Sequence, residues 1–210
     1  MCNTRRMVKR LMRGELLEEI TARVLDGRLP ADSRVNEVHL ANELGVSRTP
    51  LREALIGLAD RGLLVAAPGR GFLVAPFDPQ EARRLYPLVA ELEALALRWT
   101  SPLELASLPD ALDRISDEIA DSADLPAADD RWHALLTSRC DNPHLLRLIE
   151  QTKPLLKRYE TAYFGGRDRV AESVAEHREI AAALRANDLP GASALLVRNW
   201  VKALTYLKGS

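Results

Sequence analysis

Between Leu40 and Leu55 the chain sets one glycine, Gly45, between two short amphipathic segments, and a proline, Pro50, just past Ser47. Few folds accept that order. The first segment, about Glu37–Leu44, buries Leu40, Ala41 and Leu44 if helical. Gly45 then permits a tight turn, and Val46 plugs the angle between two helices. A third helix is expected from about Arg48 to Arg61, with Leu51, Leu55 and Leu58 on its buried face and Arg48 and Arg52 one turn apart on another. Ser47 stands at the N-cap and Pro50 falls in the first turn, where a missing amide costs little. Capping by Ser47 must then use the amide of Thr49, since Pro50 has none.

The flanking residues extend the pattern. Val8, Leu11, Met12, Leu16, Ile20, Val24 and Leu25 form one stripe of a helix over 7–26, which Asp26-Gly27-Arg28-Leu29-Pro30 ends. After Gly62, the runs Leu63-Leu64-Val65 and Gly71-Phe72-Leu73-Val74 read as two strands joined around Ala67-Pro68-Gly69-Arg70. Three helices and a hairpin are the outline of a winged helix-turn-helix. Arg70, between two glycines, can approach a narrow, negatively charged surface.

Composition removes other classes. With 210 residues, 47% of them hydrophobic and 28% charged, the chain suits one domain or two small ones. No apolar run reaches the roughly 18 residues of a membrane span, and no apolar segment follows Arg5 and Arg6, so secretion is not expected. The cysteines, Cys2 and Cys140, cannot form a disulfide framework or a cysteine zinc site, which makes a cytoplasmic setting the default. The net charge of −1 conceals a basic front (residues 1–76) and an acidic rear (residues 77–210), as expected if only the front meets polyanions.

The stretch Leu40-Ala41-Asn42-Glu43-Leu44-Gly45-Val46-Ser47-Arg48-Thr49-Pro50-Leu51-Arg52-Glu53-Ala54-Leu55, followed by Gly62-Leu63-Leu64 and Gly69-Arg70-Gly71-Phe72-Leu73-Val74, resembles the DNA-binding domain of GntR-family bacterial transcription regulators. The resemblance implies a homodimer reading a palindromic double-stranded operator, with residues 1–76 as the DNA-binding domain. Ser47, Arg48, Thr49 and Arg52 would meet base edges and phosphates in the major groove, while Gly69 and Arg70 would form the wing tip directed at the minor groove. Some members add an arginine at the start of the second helix; here Glu37-Val38-His39 occupies that region.

Beyond a linker at 77–80, residues 81–210 carry helical patterning throughout. Helices are expected near 79–99, 102–121, 126–139, 143–164, 168–187 and 189–208, a mainly α chain with a bundle of about six helices. Fragments such as Leu85-Tyr86…Leu92-Glu93, Asp129-Asp130-Arg131-Trp132-His133 and Glu176-His177-Arg178-Glu179-Ile180 resemble the FCD domains of FadR-like and VanR-like regulators. Such domains dimerise and bind a small-molecule effector, most often an organic acid.

The same resemblance implies a divalent metal, zinc or nickel, on Asp129, His133 and His177. Asn199 stands where the family has a further histidine ligand, and an amide oxygen is a poor ligand for such ions. Val89 stands where many relatives carry an effector-clamping arginine. Arg158, Tyr159, Tyr163 and Asn199, with Asp129, His133 and His177, are candidates to line the effector pocket. Two other functions stay open: a constitutive DNA binder whose rear bundle only dimerises, and, remotely, a metal-dependent hydrolase. No nucleophile motif accompanies the three metal candidates, so an enzyme is not expected.

Overall fold

The computed structural model describes residues 13–122, 124–163 and 167–206. Val8, Leu11 and Met12 of the expected first stripe lie outside them. The chain divides into two compact units after Phe77.

In the first unit, α1 (Arg13–Leu25), α2 (Glu37–Leu44) and α3 (Arg48–Asp60) precede the hairpin β1 (Leu64–Ala67) and β2 (Gly71–Val74). Leu16, Ile20 and Val24 of α1 are buried together with Leu51, Leu55 and Leu58 of α3, and Leu40 and Ala41 close the core from α2. Each leucine, isoleucine or valine among them contributes about 1.5–3 kcal/mol on burial. Leu25 and Leu44 are only half buried. Gly45 ends α2 with φ 66° and donates its N–H to the carbonyls of Ala41 and Asn42, a left-handed cap that a side chain would strain.

The expected Ser47 cap does not form. Ser47 has the extended backbone of an N-cap, yet its side chain makes no capping hydrogen bond. With Pro50 at the third helical position, the amide a serine most readily caps is missing. The hydroxyl is left at the exposed start of α3.

The hairpin pairs Leu64 with Val74, Val65 with Leu73, Ala66 with Phe72 and Ala67 with Gly71. β1 therefore begins and ends later than the run 63–65. Pro68 and Gly69 form the turn; Gly69 has φ 70° and the Arg70 N–H returns to the Ala67 carbonyl at 2.8 Å, the type II geometry that wants proline then glycine. The α1–α2 connection adds a short third edge: Arg34 bridges Leu73 antiparallel, and the Val35 N–H donates to the Phe72 carbonyl at 2.9 Å.

The second unit is all helical among the described residues: α4 (Pro79–Trp99), α5 (Pro102–Ala106), α6 (Pro109–Asp121), α7 (Leu125–Thr137), α8 (Pro143–Tyr163), α9 (Arg167–Arg185) and α10 (Leu189–Tyr206). Asp78 caps α4, its side chain accepting from the Gln80 N–H at 2.9 Å, so most of the stretch 77–80 is cap and first turn. The single helix expected over 102–121 is a one-turn helix and a long one. Pro109 has no N–H to give the Leu105 carbonyl, which instead takes the Leu108 N–H at 3.1 Å, and the chain restarts.

α4 packs on α7, α8 and α10, while α9 packs on α6 and α10. Tyr86, Leu97, Trp132, Leu136, Leu156, Tyr159 and Leu196 fill the space between them. Among the described residues no helix is long and apolar enough to cross a membrane.

Candidate nucleic-acid interface and buried polar cluster

The first turn of α3 and the wing face shared depressions. One, of about 520 Å³, is lined by Arg34, Glu37, Arg48 and Arg70 among others. A second joins Arg34, Glu37 and Arg52 to the wing turn, including Gly69, and a third joins Glu37, Arg48, Thr49 and Arg52. Arg48, Thr49, Arg52, Gly69 and Arg70 are thus brought together, all exposed; Ser47 is exposed beside them but lines none of the three. Of α1 and its following turn, Arg23 pairs with Glu19 and Glu43, and Arg28 with Asp26. The short elements here hold four arginines around shared depressions whose lining also includes two carboxylates, Glu37 and Glu53.

In the second unit the polar residues converge inside the bundle. Glu93, on the otherwise apolar face of α4, has no exposure to water. Its Oε2 accepts from the Trp200 indole N–H at 2.7 Å and lies 2.7 Å from His133 Nδ1; Oε1 is 3.0 Å from Lys153 Nζ. Burial alone would raise this carboxyl, but Lys153, His133 and the indole outweigh it and hold its pKa at about 2. Lys153 is raised in turn, since Glu93 and Asp130 more than offset its desolvation.

An ionised Glu93 can only accept, so in the neutral His133 ring Nδ1 carries the proton and Nε2 offers a lone pair. That Nε2 is 3.7 Å from Asp129 Oδ2. His177 Nε2 is 3.5 Å from Asp129 Oδ1, and the His177 ring stacks on Trp132 at 3.8 Å. Neither nitrogen of the buried His177 has a hydrogen-bond partner among the described residues. Burial first, then the positive charge His133 carries when protonated, pushes its pKa well below 6.5, whereas desolvation raises the Asp129 carboxyl. One ligand atom from each of Asp129, His133 and His177 lies within 4.8 Å of the others.

These donors fit a divalent metal. Imidazoles and a carboxylate are what zinc or nickel takes, the second shell that orients His133 is present, and among the described residues the buried nitrogens of His177 have no hydrogen-bond partner. Three protein ligands leave a coordination position open.

The remaining pocket candidates divide. Asn199 is buried, but its amide nitrogen donates to Glu176 at 2.9 Å, next in sequence to His177. Tyr159 is not brought to the cluster: its hydroxyl lies 2.7 Å from Glu81 Oε2 and 3.0 Å from the Asp78 carbonyl, which ties α8 to the start of α4. Arg158 is half buried beside it. The side chain of Tyr163 lies outside the described residues. Val89 is fully buried in the apolar core.

Sequence reasoning missed Arg34, Lys153 and the roles of Glu93 and Trp200. A signal existed for two of them. Glu93 shares the apolar stripe of Tyr86, Val89, Ala90 and Leu97, and Lys153 sits at core spacing between Ile149 and Leu156.

The fold defines a winged helix-turn-helix unit with an arginine-lined face, followed by a helical bundle. Comparison with known families agrees. The family described as "Bacterial regulatory proteins, gntR family" matches residues 13–74, and the FCD domain matches residues 84–200. The chain belongs to the GntR family, with an FCD domain.

It is similar to the HTH-type transcriptional regulator YdhC of Bacillus subtilis, 27% identical over 173 residues that span 79% of this chain and 77% of the relative. A second relative, an HTH-type transcriptional regulator in an unstable DNA locus of Streptomyces ambofaciens, is 30% identical over 86% of this chain and 78% of its own length. The solved structure of a GntR transcriptional regulator from Rhodococcus sp. RHA1 shares the fold, with a TM-score of 0.78 at 20% identity over 94% of this chain and 98% of that one. The chain is a transcriptional regulator and not an enzyme.

The cluster has a pH signature in metal-free protein. His177 binds its proton more readily unfolded than folded, so its contribution to stability is complete above pH 6.5 and lost as pH falls below it. Glu93, held near 2 against an ordinary 4.5, contributes in full above pH 4.5 and loses about 3 kcal/mol on the way down to 2. Asp129, raised, takes a proton earlier and softens the loss. As pH falls, chelator-treated protein should therefore melt at progressively lower temperature in two stages, and His177→Gln should remove the stage that begins below pH 6.5. An unchanged profile in that variant contradicts the assignment.

Proposed function

We propose that the chain binds a palindromic operator as a homodimer and that a small molecule in the C-terminal bundle changes its affinity for that operator. The observation that carries the DNA half is the group of exposed arginines, Arg48, Arg52 and Arg70, gathered at the start of α3 and at the wing tip. Arg48 and Arg52 would reach guanine edges or phosphates in the major groove, with Ser47 and Thr49 hydroxyls beside them. Each bidentate guanine contact is worth about 1–3 kcal/mol of discrimination. Gly69 and Arg70 would enter the adjacent minor groove, and two-fold symmetry of the dimer would impose symmetry on the operator.

In the bundle, Asp129, His133 and His177 would hold a divalent metal, and its open position would take an oxygen of the effector, an organic acid. The ion would supply positive charge where Val89 supplies none. By linkage, the effector weakens or tightens DNA binding by the factor with which DNA weakens or tightens effector binding. Relief of repression fits this scheme, and one relative is described as a probable D-xylose utilization operon transcriptional repressor.

A second reading, in which the bundle only dimerises, draws on Asn199, whose amide is engaged by Glu176, and on Val89. Under that reading no organic acid should shift the melting temperature, with or without chelator.

Arg48→Ala or Arg52→Ala should abolish discrimination between a selected operator duplex and a scrambled one in fluorescence anisotropy, while size-exclusion chromatography still shows the wild-type assembly. Undiminished discrimination refutes the role of α3. For the bundle, Asn199→His should add a ligand and tighten zinc or nickel at least tenfold in competition titrations with a chelator. If elemental analysis finds no metal in either protein after loading, the metal assignment ends.

A further inference from the structure

The fourth arginine of the depressions, Arg34, belongs neither to α3 nor to the wing turn. It lies in the connection from α1 to α2, and its position is set by backbone pairing. Arg34 bridges Leu73 of β2; on either side of it, the Ser33 carbonyl accepts from the Val74 N–H at 2.9 Å and the Val35 N–H donates to the Phe72 carbonyl at 2.9 Å. Alternation along an extended segment sends neighbouring side chains to opposite faces. Val35 is therefore buried at 3% exposure, and Arg34 is turned outward. Its starting point is as rigid as the wing's own.

That outward direction leads to the arginine-lined face. Arg34 lines one depression with Arg48 and Arg70 and another with Arg52 and the wing turn. Elsewhere in the unit Arg23 of α1 and Arg28 of the turn after it are matched by carboxylates. Helix α2 offers no cation at this face: Glu37 lines the depression and Val38, half exposed, stands beside it.

We infer that Arg34 is a DNA-contacting residue that grips a backbone phosphate between the two grooves. The inference rests on the proposed docking of α3 and the wing. If α3 enters a major groove and the wing the adjacent minor groove, the element of the duplex that passes between them is a sugar–phosphate strand. Arg34 lines the same depression as Arg48 and Arg70, which that strand would cross. A phosphate there would meet three guanidinium groups that line one depression, with Glu37 on the same lining. The positive charge that the second helix lacks is supplied from the sheet edge.

The test uses the full chain and two duplexes: one selected by the wild-type protein from a random-sequence pool, and a scrambled control. Binding is measured across a salt series for Arg34→Ala, Arg34→Lys and Arg48→Ala, with thermal melts as the check on folding. A phosphate contact predicts that Arg34→Ala weakens both duplexes by about the same factor, on the order of tenfold. It also predicts a plot of log affinity against log salt that is shallower by about 0.9 for each Arg34 engaged. Arg34→Lys, which keeps the charge, should restore most of the slope.

Arg34→Ala with affinity and slope unchanged, while Arg48→Ala loses discrimination, overturns the inference and leaves the docking of α3 standing. Loss of discrimination with the slope intact overturns it too, since that marks a base contact. If Arg48→Ala also leaves discrimination untouched, the docking itself is wrong, and the two failures are told apart.

Discussion

A carboxylate without access to water sets the order of the C-terminal bundle. Glu93 of α4 is met by His133 of α7, Lys153 of α8 and Trp200 of α10, so one side chain joins four helices. Removing a partner would strand a buried charge, at a cost of several kcal/mol. The same contact fixes which nitrogen of His133 faces Asp129 and His177. Register of the helices and chemistry of the cluster are therefore a single constraint: a bundle packed otherwise would lose both the ion pair and the orientation of the ligands.

The N-terminal unit works by the opposite principle. Among the described residues its core is apolar apart from Arg23 at the margin, and short elements bring four arginines to shared surface depressions. Gly45 sets the angle at which α3 leaves α2, and Pro68-Gly69 sets the tip of the hairpin. The exposed arginines of this face offer positive charge that a polyanion would complement. Stability and recognition are thus separated in this unit, whereas in the bundle the groups that hold the fold are also those that would hold a ligand. Anything binding at the cluster acts directly on helix packing, which is the physical footing for regulation.

Local geometry was legible in the sequence wherever one or two residues determine it. Gly45, Pro50, Gly62 and Pro68-Gly69 marked the helix-turn-helix and the wing, and the spacing of Asp129 and His133 put them on one helix face. What escaped depends on partners far along the chain. Glu93 and Trp200 are 107 residues apart, and no periodicity announces that an acid on α4 will meet an indole on α10. Tyr159 looked like a pocket residue because its hydroxyl was unassigned; the fold spends that hydroxyl on Glu81. Arg34 was invisible because an irregular connection has no pattern, and only its pairing with β2 gives it a direction. The division at Pro109, by contrast, was written in the sequence, and the apolar spacing of 102–121 masked it.

The central claim is that the arginine-bearing face of the amino-terminal unit reads duplex DNA. Incubating the purified full chain with sheared DNA from its own genome at low salt, then sequencing what it retains, tests this most directly. The account predicts a small set of discrete fragments that share a two-fold symmetric sequence. Retention of nothing, or of fragments spread evenly over the genome, would contradict it.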